Sequence, residues 1–276
     1  MYKIYMKKFA IIGYPLTHSR SKTIHTQIMQ LANIDGQYEA IEIPPEKLDD
    51  FIPQLMELDG FSITIPFKQQ IIPYINELDK TAGLYGSVNT VKCGGIAKGY
   101  NTDCIGFLRS LEQADIKLSG KVLLLGAGGV SRTFAFESAI AGCNIDIAVR
   151  PGSFNKAENI KQEIYKKIAY NGQINILDIN EIDQTKQYDL MINGTPVGMY
   201  PKIDNCPVKD KIIQNCAAVF DAVYNPQITL LLEKAKANGA KIVKGLPMLI
   251  YQAIAQQEIW NDKILDIPFD KIKVEL

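Results

Sequence analysis

The chain has 276 residues, enough for two domains of ordinary size and more than one compact core usually holds. Apolar residues make up 47% of it, the mark of a well-cored globular protein, and 30 basic residues cancel 30 acidic ones. That balance excludes the strongly basic character of a nucleic-acid or anionic-membrane binder, while leaving room for a local basic pocket.

The five cysteines, Cys93, Cys104, Cys143, Cys206 and Cys216, are odd in number and irregularly spaced, with no C-x-x-C. This argues against a disulfide framework and a zinc site, and for buried, reduced thiols in a cytoplasmic protein. The first residues, M-Y-K-I-Y-M-K-K-F-A-I-I-G, lack the long apolar core and cleavage site of a signal peptide. No stretch approaches the ~18 uncharged apolar residues that span a bilayer. Two histidines, His18 and His25, are too few for most metal sites, so no metal is expected.

In chain order, Lys7–Gly13 reads as a short buried strand that ends at Gly13-Tyr14-Pro15. Ile24, Ile28 and Leu31 give residues 21–34 a helical period. Residues 38–43 alternate like a strand, 45–58 look helical with Pro53 as a flaw, and 60–65 form a strand stopped by Pro66. A cleaner unit begins near Ser119: strand 121–125, a glycine turn at 126–129, helix 130–141 and strand 144–149. Further strands are predicted at 173–177, 190–193, 217–222 and 241–243, with helices at 152–168 and 230–238. Strand–helix alternation predicts a mostly parallel α/β architecture. Residues 245–260 form a last helix, apolar on more than one face, as in a helix buried between layers. The chain therefore reads as two domains with a cleft between them: residues 1–104 with 246–276, and an inserted Rossmann-type nucleotide domain at 105–245.

Four motifs carry chemistry. G-A-G-G-V-S, Gly126 to Ser131, follows a strand and opens a helix, the setting a dinucleotide fingerprint requires. Gly126 permits the turn, Gly128 the approach of a pyrophosphate, and the helix N-terminus offers N–H groups to the anion. Arg150 ends the following strand, where an acid suits a ribose hydroxyl and a base suits the 2′-phosphate of NADP. Alone it would be an ordinary surface arginine; after the glycine turn it points to NADP, with Lys156 nearby. Lys68 follows a buried strand and Pro66, at the end of an α/β sheet where ligands bind, and suits acid–base work if burial lowers its pKa. G-Y-N-T-D-C-I-G at 99–106 and S-V-N-T-V at 87–91 are dense in hydroxyl-binding groups, although Asx turns would explain them equally well.

Together these segments resemble the shikimate dehydrogenase family over nearly the whole chain. The motifs run in order: G-Y-P-L-T-H-S-R-S at 13–21, G-F-S-I-T-I-P-F-K at 60–68, S-V-N-T-V, G-Y-N-T-D, G-A-G-G-V-S-R, N-G-T-P-V-G-M at 193–199, D-A-V-Y-N-P at 221–226 and G-L-P-M-L-I-Y-Q-A at 245–253. The resemblance implies an NADP-dependent oxidoreductase that reversibly reduces 3-dehydroshikimate to shikimate in aromatic amino acid biosynthesis. It implies that Lys68 and Asp103 are the catalytic pair, with Lys68 as proton donor or electrostatic stabiliser left open. Ser19 and Ser21 would bind the substrate carboxylate. Thr64, Asn89, Asp103 and Gln252 would bind ring hydroxyls, with Tyr224 close by. Gly126, Ala127, Gly128, Gly129, Val130 and Ser131 would hold the pyrophosphate and Arg150 the 2′-phosphate, with Met199, Tyr224 and Gly245 against the nicotinamide.

Departures from the family pattern are Lys22 for proline, Ser62 for asparagine, and Val149 and Pro151 around Arg150 where NADP users often carry Asn and Thr. The last pair removes hydrogen bonds to a 2′-phosphate. One rival is a quinate or dual quinate/shikimate enzyme that accepts NAD, against which Ser21 and Thr64 speak. The other is a catalytically silent ligand sensor, against which the retained Lys68 and Asp103 speak. The sequence leaves monomer and homodimer open.

Overall fold

The computed structural model describes residues 5–17 and 19–275 and divides them between two compact units. One comprises the described residues up to Gly106 together with Ile250–Glu275, the other Phe107–Leu249. His18, one of the two histidines counted above, lies outside the described residues.

The first unit is built on β1 (Lys7–Gly13), β2 (Gly36–Glu42), β3 (Gly60–Ile63), β4 (Glu77–Leu78), β5 (Thr90–Lys92) and β6 (Lys98–Tyr100), in the order β2-β1-β3-β5-β6-β4. The β1–β2 and β1–β3 pairs are parallel, whereas β5 runs antiparallel to both β3 and β6. The part of the sheet beyond β3 is absent from the predicted elements because strands of two or three residues are too short to show a period. Around it lie α1 (Ser21–Ala32), α2 (Leu48–Met56), α3 (Phe67–Gln70) and α4 (Lys80–Tyr85), the last capped by Asp79, which accepts from Ala82 N at 2.8 Å. The region predicted as one helix at 45–58 opens with a 3₁₀ turn, Pro45–Lys47, and Pro53 sits inside α2. Ala10, Ile12, Phe61, Ile63, Leu55 and Phe67 form one core, and Phe9, Met29, Tyr38 and Trp260 a second.

The second unit takes α5 (Asp103–Gln113) from Phe107 onward, then β7 (Lys121–Leu125), α6 (Gly129–Ile140), β8 (Asn144–Val149), α7 (Phe154–Lys167), β9 (Ile174–Asp178), β10 (Tyr188–Asn193), α8 (Asp210–Gln214), β11 (Cys216–Asp221), α9 (Leu230–Ala237) and β12 (Lys241–Val243). The sheet order is β12-β11-β10-β7-β8-β9 and every pairing is parallel. Read from β9, this is the doubly wound order of dinucleotide-binding folds, with the switch point between β7 and β10. Continuous apolar runs such as Val122–Leu125 follow from cover on both faces. The final helix, α10 (Gly245–Asn261), starts in the second unit and ends in the first. Its Ala253, Ile254, Ala255, Gln256 and Gln257 are consecutive buried residues, as an all-round apolar helix requires.

Candidate active site

In the first unit, strand register brings the sequence motifs to one end of the sheet. Ile12 lies opposite Ile63, Ser62 opposite Thr90, and Thr90 opposite Tyr100. The chain therefore leaves β1, β3 and β6, and enters β5, at the same edge. Thr64 N donates to Ile12 O at 2.9 Å and Val88 N to Lys68 O at 2.7 Å, which fixes the backbone on either side of Pro66. From the short α3, Lys68 Nζ donates to Asp103 Oδ2 at 2.7 Å; the two side chains are 29% and 13% exposed. Both charged groups are thus largely desolvated yet reachable.

Asp103 was expected in a loop but opens α5, where the N-terminal end of a helix favours a carboxylate. The preceding Asn101 accepts from Asp103 N at 3.1 Å and donates to Ser87 O at 3.0 Å, so the Asn-Thr-Asp segment is a built helix start. The other carboxylate oxygen, Oδ1, accepts from Asn89 Nδ2 at 2.9 Å. The same amide nitrogen donates to Thr102 Oγ1 at 3.0 Å, while Asn89 Oδ1 accepts from Thr90 Oγ1 at 2.7 Å and Thr102 N at 2.8 Å. Asn89 was expected to bind a ring hydroxyl. Its buried amide makes these bonds to protein partners and so holds Asp103. Asn101 and Thr102 were not singled out from the sequence, although the Asn-Thr pair that contains them was.

Ser19 and Ser21 are half-buried at the end of the β1 exit loop, with Ser21 N donating to Ser19 Oγ at 3.4 Å. Ser21 also bonds the Tyr38 hydroxyl, which pairs with the buried Ser62 that replaces asparagine. Lys22, in the place of proline, makes an exposed ion pair with Glu39 at 3.0 Å. Gln252 is half-buried on α10, and its Oε1 accepts from Gln256 Nε2 at 2.9 Å. Gln256, which no sequence motif flagged, also donates to Asn89 O at 3.3 Å.

In the second unit, Gly126, Arg150, Met199, Tyr224 and Gly245 all follow C-terminal ends of parallel strands, where open α/β sheets bind their ligands. Gly126 has φ +98°, and a Cβ there would stand 2.8 Å from Thr195 Cγ2. Cβ atoms at Gly128 and Gly129 would meet nothing within 4 Å, leaving an open cradle above the first N–H groups of α6. Ala127 and Val130 are half-buried around this turn. Ser131 is buried and donates to Gly194 O at 3.2 Å, which joins the glycine turn to the loop after β10. Its departure from the usual small residue is therefore a cross-link at the switch point. At Gly245 a Cβ would fall 2.5 Å from Ala222 O, so glycine is needed for α10 to pass the loop after β11.

Arg150 and Lys156 are exposed. Val149 is a core residue at the end of β8, and Pro151 starts a 3₁₀ turn closed by Ser153 N donating to Arg150 O at 2.8 Å. These flanking side chains do structural work, and the exposed cations of this segment are Arg150 and Lys156. An open glycine cradle at a helix N-terminus, with an arginine one strand away, fits a phosphorylated dinucleotide. All five cysteines are free; Cys206 is half-buried, in contrast to the expectation that every thiol is buried. Among the described residues no cluster of His, Cys, Asp and Glu could hold a metal ion, and no helix is long and apolar enough to cross a membrane.

Residues 11–91 match the family model of the shikimate dehydrogenase substrate binding domain. A shikimate dehydrogenase (NADP(+)) of Caldanaerobacter subterraneus is 35% identical over 280 residues, 98% of either chain. One of Methanococcus maripaludis is 39% identical over 262 residues, 92% of either chain. A crystal structure of shikimate 5-dehydrogenase from Thermus thermophilus, in complex with NADP(H) and shikimate, superposes with TM-score 0.85 at 29% identity and 97% coverage of both chains. Identity carried across both units, together with the lysine–carboxylate pair and the doubly wound second sheet, makes the chain a member of the shikimate dehydrogenase family.

Proposed function

We propose that the protein is an NADP-dependent shikimate dehydrogenase that reduces 3-dehydroshikimate reversibly to shikimate in chorismate and aromatic amino acid biosynthesis. The observation that carries this reading is the Lys68–Asp103 pair, held at 2.7 Å at the edge where the first unit's loops gather. When bound, NADP supplies or accepts the hydride. The protein's own residues hold the substrate and manage one proton. Ser19 and Ser21 take the carboxylate; Thr64 and Gln252 take ring hydroxyls, with Tyr224 nearby. Lys68 places its ammonium at the oxygen of the reacting carbon, stabilises the charge that grows there on reduction and delivers the proton. Asp103 keeps that ammonium aligned and accepts from a neighbouring hydroxyl. Residues 126–131 would hold the pyrophosphate, Arg150 the 2′-phosphate, and Met199, Tyr224 and Gly245 the nicotinamide side.

Five free thiols suit a reducing compartment, and we place the enzyme in the cytoplasm. The test is absorbance at the nicotinamide band with shikimate or quinate, each paired with NADP or NAD. Shikimate with NADP should turn over far faster than any other pair. Equal or faster turnover of quinate would assign the protein to the quinate branch of the family.

A further inference from the structure

His25 is one of two histidines in the chain and takes no part in the chemistry proposed above. It is completely buried on α1, stacked on Tyr38 with ring centroids 4.1 Å apart, and its two ring nitrogens each meet a glutamine of α10. Nε2 lies 3.0 Å from Gln256 Oε1, and Nδ1 lies 3.1 Å from Gln257 Nε2.

These contacts belong to a longer chain of hydrogen bonds whose direction is set at both ends. At one end stands Lys7, whose ammonium only donates. It reaches Asn261 Oδ1 at 2.8 Å, so the Asn261 amide nitrogen must face Gln257, where it donates to Oε1 at 3.0 Å. Gln257 then presents Nε2 to the ring, and His25 Nδ1 must accept. At the other end stands the backbone oxygen of Asn89, which only accepts. It takes Gln256 Nε2 at 3.3 Å, which turns Gln256 Oε1 toward the ring, so His25 Nε2 must donate. The Lys7 end demands a neutral imidazole with its proton on Nε2, and the Asn89 end, which requires a proton on Nε2, agrees with it. Burial favours that neutral form, pushing the imidazole pKa down to about 3.

The consequence falls on Gln252. With Gln256 Oε1 committed to His25, Gln256 Nε2 donates to Gln252 Oε1 at 2.9 Å, so the amide nitrogen is the end of Gln252 that can be offered to a ligand oxygen. We propose that His25 is a positioning residue: together with the Asn89 backbone oxygen it holds the Gln256 amide, which keeps the nitrogen end of Gln252 toward the bound ring and thereby tightens shikimate binding. The inference rests on the reading of Gln252 as a substrate ligand. Reversing the His25 tautomer would leave two amide oxygens or two N–H groups facing each other in the interior, which the buried setting penalises.

Three variants test it by steady-state kinetics. A glutamine side chain can place an N–H where His25 Nε2 stands, whereas an asparagine reaches only the Nδ1 side. His25→Asn should raise the KM for shikimate about tenfold while the KM for NADP stays within about twofold; the interaction lost is one buried hydrogen bond. His25→Gln should restore most of the shikimate affinity. In a Gln252→Ala background, His25→Asn should cost nothing further in KM. Equal losses for Asn and Gln, or additivity with Gln252→Ala, would reduce His25 to core packing. A Gln252→Ala enzyme with normal shikimate KM would overturn the substrate role of Gln252 and the inference with it. Folding does not limit the test, because ¹⁵N-histidine NMR of the wild-type protein reads the tautomer directly. One imidazole should stay neutral with Nε2 protonated down to about pH 5. A titrating His25, or one protonated on Nδ1, would break the relay.

Discussion

Asn89 Nδ2 donates to Asp103 Oδ1 at 2.9 Å while Lys68 Nζ donates to the other oxygen at 2.7 Å, so one carboxylate links a buried amide to the proposed proton donor. The amide fixes the carboxylate, and the carboxylate fixes the ammonium. Lys68→Ala should therefore lower turnover by ~10²–10⁴, the usual contribution of a positioned acid–base group. Shikimate binding should weaken much less. Asp103→Asn should lower turnover and also raise KM, because the amide presents no charge to Lys68 and a changed partner to the substrate hydroxyl. The double variant should be little worse than the worse single one, since the two groups act as a unit. Turnover at saturating shikimate and NADP decides it; near-normal turnover of Lys68→Ala would make the lysine a surface residue.

Asn89→Ala should cost stability as well as activity. It strands Thr102 N–H and one oxygen of Asp103 in the interior, a loss of about 2–4 kcal/mol. The thermal midpoint and turnover should fall together. A change in KM at an unchanged midpoint would make Asn89 a substrate ligand and nothing more.

Arg150→Ala should raise the KM for NADP and leave that for NAD nearly unchanged, a selectivity of about 1–3 kcal/mol. Val149 is committed to the core and Pro151 to a turn, so no neighbouring hydrogen bond compensates for the lost guanidinium. If both constants rise together, Arg150 supports the loop rather than the 2′-phosphate.

Two buried groups should give the stability of the protein opposite pH dependences. Burial pushes the Asp221 carboxyl up to about 6 from 3.8, against the pull of Thr229, Val223 N–H and Asn193. The folded state holds that proton more tightly than the unfolded chain, so the contribution is greatest at low pH and is lost as pH rises through about 6. His25 is pushed down to about 3 from 6.5, so its contribution is full above about 6.5 and is lost as pH falls. Asp221→Asn should leave the urea midpoint unchanged near pH 4 and raise it at neutral pH, by about 1–3 kcal/mol in stability. His25→Gln should flatten the acid side instead. A wild-type pH slope retained in both variants would show that neither group titrates as its burial requires.

Much of the second unit was legible from sequence because its signals are local. A glycine turn after an apolar strand, with an arginine at the end of the next strand, is set by neighbours within about 30 residues. The proposed catalytic pair, Lys68 and Asp103, was also named from ordered motifs, but its 2.7 Å approach depends on the β3–β5–β6 register, in strands of three or four residues that carry no period. For the same reason the hydrogen bond by which Asn89 braces Asp103 could not be read from the motif that contains it. The link between Gln256 and His25 was invisible: a glutamine on an apolar helix and a histidine on a second helix, 231 positions apart, acquire meaning only when packing puts them 3.0 Å from each other. Sequence alone determined the longer elements, the glycine turn and the chemistry of each side chain, which are local properties. Tertiary structure decided which donor meets which acceptor, because the direction of a buried hydrogen bond is imposed by partners brought together from distant parts of the chain.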